Sequence, residues 1–353
     1  MTFTRQQKIF IAIVALLFST LACRTATRLI IPDTPTPLPS PTATLLPTLT
    51  PTLIPTITTD IIEASCPLTT DKIITDSTSN EQDALSSKSA SNKDITFLVD
   101  YAVTGDEIKN PHFESVAKNL IAEQKDHGTQ ENIWKYFTRL IPHDQRALLT
   151  GFSVFTDGKY NLLASVNQSE NDPTKWELNV DIADSNQKTS LTFTLIHEFG
   201  HLLTLNPTQV NVSLPVYNHP DDHNIHDAEV AACPQYFTGE GCSNSDSYIN
   251  MFFERFWTDF YAEWQKIDAI KNEDTRQSKL DDFYQTYQDQ FVSDYAPTSP
   301  AEDIAESWAF FILAPKPEST SIANEKILFF YEYPELVALR SQILNSVCVE
   351  FQQ

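Results

Sequence analysis

Leu195 to Leu203 reads LIHEFGHLL, with two histidines four residues apart and a glutamate directly after the first. On a helix, positions i and i+4 share one face one turn apart, so His197 and His201 can grip a single ion. Zinc favours nitrogen ligands, and in catalytic sites it takes three protein ligands plus a water. Glu198 adjoins the first imidazole and can reach that water as a general base, the water's pKa falling to about 7 on zinc. The competing reading is a core helix with two satisfied histidines. It must bury three polar groups among Leu, Ile and Phe, which is costly without a metal or partners.

A third ligand must come from elsewhere, and the segment DYAPTSPAEDIAESWAFF, starting at Asp294, offers two. Ser299-Pro300-Ala301-Glu302 has the form of a helix start: Ser as N-cap, Pro at the first helical position, Glu three residues after the cap. Glu302 can therefore be read as the closing half of a capping box. Yet Glu302 and Glu306 stand one turn apart on a helix that also carries Trp308, Phe310 and Phe311. Two carboxylates on one face of a largely apolar helix suit a cation.

HEFGH followed by Tyr-x6-Glu resembles the zinc peptidases of the gluzincin group, especially lethal-factor-like and Mlc-titration-factor-like members. The matching segment here is YAPTSPAE, Tyr295 to Glu302. The resemblance implies His197, His201 and Glu302 as zinc ligands and Glu198 as the base. It implies Tyr295 as stabiliser of the oxyanion and Glu306 as an acceptor orienting a ligand histidine. If Glu302 is only a cap, Glu306 becomes the third ligand. The resemblance covers these two short motifs and nothing between them, so substrate preference does not carry over.

These groups need elements to hold them. ITFLVDYAV (95–103) has strand composition, and GFSVFTDG, NLLASVNQS and WELNVDIADS read as three short strands separated by Asp-Gly and Asn-Asp-Pro turns. Either WELNVDIADS or its neighbour is expected to offer an edge to an extended peptide. Helical spacing recurs over 110–125 (Phe113, Val116, Leu120, Ile121) and over 131–140 (Ile133, Tyr136, Phe137, Leu140). It returns over 191–203, 248–270, 274–291, a short segment from Pro300, and 322–347, where Pro334 kinks or divides the helix. Residues 69–93 read as a polar lead-in and 206–247 as a long polar loop. Within that loop, NHPDDHNIHD places His219, His223 and His226 near Asp221, Asp222 and Asp227. They form a second metal candidate that lacks an apolar scaffold, which favours a solvated loop. The expected fold is α+β and zincin-like: a small twisted sheet and the active-site helix, followed by a helical subdomain.

Acidic residues outnumber basic ones 47 to 24, which argues against nucleic acid, because phosphate binding needs a cationic face. Arg5 and Lys8 precede an uncharged run from Ile9 to Ala22, too short for a bilayer-spanning helix of about 20 residues but suited to a signal peptide. The run ends in TLAC, which resembles the lipobox of bacterial lipoproteins and implies a lipid on Cys23; an ordinary secretory signal is the alternative. Proline every few residues over 32–59 predicts an extended stalk. The expected organisation is a signal peptide (1–22), a lipid-anchored Pro/Thr-rich linker (23–62) and a metallopeptidase domain (63–353). Four further cysteines in an exported chain suggest two disulfides. Proximity in sequence favours Cys233–Cys242 and Cys66–Cys348. The expected function is a membrane-anchored, extracytoplasmic zinc peptidase acting on peptide or protein substrates. Its rival is a surface-binding lipoprotein that keeps zinc for structure alone. A non-ligand Glu198 favours the enzyme.

Overall fold

The computed structural model describes residues 65–86, 95–158 and 162–352. The signal peptide, Cys23 and the stalk lie outside the described residues. Strands β1 (Thr96–Thr104), β2 (Glu107–Phe113), β3 (Leu149–Thr156), β4 (Ala164–Ser169) and β5 (Asp172–Asp181) form one small mixed sheet. Its order is β2-β1-β3-β5-β4; β3 and β5 run parallel and the other neighbours antiparallel. WELNVDIADS therefore supplies an interior strand, and NLLASVNQS, its neighbour, supplies the edge. Trp176, Leu178 and Val180 of β5 are buried, and so are Glu177, Asn179 and Asp181 between them. That is why this strand lacks a polar face: an interior strand covered on both sides must satisfy its polar groups internally. Asn179 does so by donating to Asn167 Oδ1 at 2.6 Å.

Helix α2 (His127–Leu140) meets the sheet through Trp134 against Phe152 of β3 and Gln130 accepting from Tyr101 of β1, and the long α3 (Lys188–Leu205) lies against β4. α3 is buried almost all round, including Leu191, Leu195, Ile196, Phe199 and Leu202. A helix with no solvated face must be enclosed by neighbours on every side. One is α1 (Pro67–Ser86), a helix where a polar lead-in was expected. Thr70, Ile73 and Ser77 recur at helical spacing and are buried. The hydroxyls that lower its helix propensity are absorbed by the preceding turn: Ser77 donates to Ile73 O at 2.9 Å and Thr78 to Ile74 O at 3.0 Å. The Cys66–Cys348 disulfide fastens the start of α1 to the last helix.

Residues 110–125 do not form the expected helix. The first part is β2, followed by two short helical turns. Asn110 has φ +53° and Pro111 follows it, a combination that no helix interior accepts and an edge strand tolerates. Phe113, counted as part of a helical stripe, is instead exposed.

The polar stretch after α3 is also more ordered than expected. It contains β6 (Val210–Val212) paired antiparallel with β7 (Gly241–Ser243), and helix α4 (His223–Ala232) between them. Cys233 and Cys242 are joined. The expected single helix over 248–270 is two, α5 (Tyr248–Phe256) and α6 (Tyr261–Asp268). The break falls where buried Trp257 turns to donate to Asp303 Oδ2 at 2.7 Å. α7 (Glu273–Thr286), α8 (Pro300–Leu313), α9 (Ile322–Phe330) and α10 (Pro334–Glu350) complete the helical half. Pro334 divides the last two as expected and sits at the first helical position of α10. Among the described residues, no helix is long and apolar enough to cross a membrane.

Candidate metal centre

The centre is built where α3 crosses α8. Gly200, one residue before His201, faces Ala305. A Cβ there would lie 3.0 Å from Trp308 Cδ1 and 3.2 Å from Ala305 Cα, so the two helices approach as closely as glycine allows. This brings the inward face of α3 onto Glu302 and Glu306. The start of α8 is capped as expected at one end only: Ser299 Oγ accepts from the Glu302 amide at 3.1 Å. The Glu302 carboxylate does not close the box but reaches the histidines.

His197 Nε2, His201 Nε2 and Glu302 Oε2 stand 3.1, 3.0 and 3.3 Å apart, pair by pair. Zinc bonds of about 2.0–2.1 Å at tetrahedral angles separate neighbouring donors by about 3.3 Å, so the three atoms fit three corners of one tetrahedron. The electrostatics agree. Burial opposes a charged His197, yet the carboxylates of Glu302 and Glu306 overcome it and hold its pKa well above the ordinary value. Burial equally opposes a charged Glu302, and His201 and His197 overcome it and hold the carboxyl below the ordinary range. The donors enclose a point that favours positive charge.

The imidazoles are supported unequally. His197 Nδ1 lies 2.7 Å from Glu306 Oε1, and the other oxygen of that carboxylate accepts from Ser293 Oγ at 2.7 Å. A proton on Nδ1, donated to Glu306, leaves the Nε2 lone pair for a metal. His201 Nδ1 is buried without a hydrogen-bond partner among the described residues.

Glu198 groups with His197 and His201, each offering a ligand-type atom within 4.8 Å of the others. Burial pushes its carboxyl up to about 7, and the Val166 amide of edge strand β4 is hydrogen-bonded to it. A carboxyl poised near neutrality can both accept and return a proton. The ring of Tyr295 is centred 6.0 Å from that of His197. All six residues singled out in HEFGH and YAPTSPAEDIAE thus gather at one point.

The chain matches no family model, no curated protein and no solved structure.

The second His/Asp constellation does not gather. Asp222 caps α4 by accepting from the amides of Asn224 and Ile225. The buried ring of His226 packs edge-on against Phe237 at 5.4 Å. None of these six residues belongs to a ligand group among the described residues.

Two residues that bear on the centre escaped the sequence reading. Ser293 carries no type or spacing that marks it. Glu240 lies in the disulfide loop, and its charge acts on both His201 and Glu302. Its signal was available: one acid between two glycines, inside a loop closed by cysteines.

Proposed function

We propose that the chain is a zinc metallopeptidase of zincin-like fold, exported and held at the outer face of a bacterial membrane by a lipid on Cys23. The observation that carries this reading is the convergence of His197, His201 and Glu302, with Glu198 beside them. Structural zinc sites fill the fourth position with protein, and Glu198 is the group near enough to the histidines to be weighed for it, so its role as base rather than ligand is the point to test. A carboxylate that is not itself a ligand suits hydrolysis, where it serves as the base for the attacking water.

Zinc bound at this point would supply Lewis acidity and a water activated for attack on a peptide carbonyl. Glu198 would take the proton of the attacking water and deliver it to the departing amine. Tyr295 donates its hydroxyl to the carbonyl oxygen as negative charge develops there. Glu306 and Ser293 keep the His197 ring turned toward the metal. β4 is the edge strand beside the centre, and its position next to the Val166–Glu198 hydrogen bond makes it the strand an extended peptide would pair with.

The test is digestion of a diverse peptide library by the zinc-replete chain, the chelated chain and the Glu198→Gln variant. Cleavage by the first alone is expected. Zinc retained at one ion per chain with no cleavage anywhere supports a zinc-containing binding lipoprotein instead. Equal cleavage by wild type and Glu198→Gln rejects the mechanism.

A further inference from the structure

We propose that Asp100, His112 and Glu114 form a second divalent-metal site, one that fastens the edge strand β2 to β1. It is independent of the peptidase reading, because its residues lie on β1 and on the chain running through and just past β2, at the edge of the sheet opposite β4.

The pairing of β2 with β1 is interrupted midway. Ala102 pairs with Lys109 and Asp100 with His112, so Tyr101 alone opposes Asn110 and Pro111. Pro111 has no amide to donate, and Asn110 sits at φ +53°, so the ladder breaks there. Beyond the break, His112 stands directly opposite Asp100. Glu114 follows two positions later, which in extended chain puts it on the same face as His112. The Glu114 amide donates to Leu98 O at 3.0 Å. Buried Gln124 donates from Nε2 to Glu114 O at 2.7 Å and to Leu98 O at 2.8 Å, so the backbone around the three groups is held in place.

The three side chains converge. Each offers one ligand-type atom within 4.8 Å of the other two. His112 Nδ1 lies 3.7 Å from Asp100 Oδ2 and 3.7 Å from Glu114 Oε1. Those separations are too long for hydrogen bonds, which need about 2.7–3.2 Å. They come within about half an ångström of the spacing between neighbouring donors on a tetrahedral zinc ion. A plain cross-strand ion pair needs only Asp100 and His112. Glu114 brings a second carboxylate against the same imidazole, and the repulsion between two acids at this range is offset better by a divalent ion than by one histidine. One imidazole with two carboxylates favours a borderline ion of zinc's kind over calcium or magnesium, which take oxygen ligands. The Asp100 side chain is 13% exposed and that of His112 74%, so the site is anchored on β1 and open to solvent on β2. Water can complete the coordination, and the ion can exchange.

The test is a titration of the metal-free full chain with zinc, read by calorimetry and metal analysis, with hydrogen exchange of the β1 and β2 amides followed in parallel. Wild type should bind one ion that His112→Ala loses and His197→Ala keeps. Asp100→Asn and Glu114→Gln retain size and remove charge, and each should weaken that ion by about tenfold or more, since loss of even an outer partner of a metal costs as much. Glu114 is the more exposed of the two acids, so Glu114→Gln keeps the test open if Asp100→Asn fails to fold. Zinc should slow exchange of the β2 amides in wild type and in His197→Ala, and leave it unchanged in His112→Ala. The proposal is overturned if His112→Ala loses no ion. It is overturned equally if neither acid substitution weakens the ion, which would leave a lone surface histidine, or if zinc leaves β2 exchange unaltered in wild type. A His197→Ala chain that keeps every ion would sink the centre at His197 and leave this site standing.

Discussion

Glu306 bridges two residues of different elements: Oε1 lies 2.7 Å from His197 Nδ1 and Oε2 2.7 Å from Ser293 Oγ, with only 1% of its side chain exposed. The carboxylate thus anchors the ring of a proposed ligand, and it is itself anchored. Glu306→Ala should weaken zinc binding by about 10–100-fold, read by competition with a chelator. Ser293→Ala should produce a smaller loss in the same direction. An unchanged affinity in Glu306→Ala would mean that His197 needs no orienting partner.

Glu302 and Glu198 are both glutamates at the centre, but they should answer substitution differently. Glu302→Gln exchanges an anionic donor for a neutral one and should lower zinc affinity. Glu198→Gln should retain one zinc per chain if the side chain acts on the water, as proposed, rather than holding the metal. Metal analysis after dialysis distinguishes them. Loss of zinc in Glu198→Gln would place that residue among the ligands.

Tyr295→Phe removes one hydroxyl and keeps the ring beside His197. Turnover of a library-derived substrate should fall about 10²-fold or more, with zinc content and fold unchanged, if the hydroxyl serves the developing oxyanion. A variant with wild-type kcat assigns Tyr295 to packing alone.

Gly200 sets the distance between α3 and α8. Gly200→Val drives two methyl groups toward Trp308 and Ala305, and should destabilise the chain by about 1–3 kcal/mol, the usual cost of overpacking. Zinc affinity should fall with it, since the same crossing aligns the donors. Denaturant unfolding and chelator competition on one sample check both. A variant that unfolds at the wild-type midpoint and binds zinc as tightly would show that the crossing has slack.

A buried pair of acids on the sheet should shape the pH dependence of stability. Burial first, and the neighbouring Asp157 carboxylate after it, raise the pKa of Asp181 above the ordinary aspartate range, even though the amides of Asp157 and Ala183 donate to it. A carboxyl whose pKa is raised by folding binds its proton more tightly in the native state. Its contribution is complete below the unfolded pKa and is lost as the pH rises through the raised value. Asp157→Asn removes the like charge, and should reduce this loss and raise the denaturant midpoint at pH 8 relative to pH 5. A midpoint difference equal to that of wild type would exclude the pair as its source.

Local pattern made several features legible. The four-residue spacing in HEFGH already places two imidazoles on one helical face, because helix geometry is a property of the chain itself. Pro334 divides the last helix for an equally local reason, the missing amide. The disulfides Cys66–Cys348 and Cys233–Cys242 follow from an even count and from proximity. The 110–125 stretch misled because apolar spacing was weighed above Pro111, whose veto on a helix was visible in the sequence.

Other features depended on what a segment is packed against, which no local pattern records. The serine- and threonine-rich α1 is a helix because Ile73 and its neighbours have α3 to bury against, and because the disulfide holds it there. Glu302 satisfied two readings at once in the sequence. Its amide does belong to the cap, and its carboxylate belongs to the histidines, since backbone and side chain of one residue can serve different partners. Only the crossing at Gly200 and Ala305 decided where that carboxylate points. The sequence by itself determined which groups share a helix face, because that is set by the repeat of the backbone. The tertiary structure decided which faces meet, because burial and charge act through space between residues far apart in the chain.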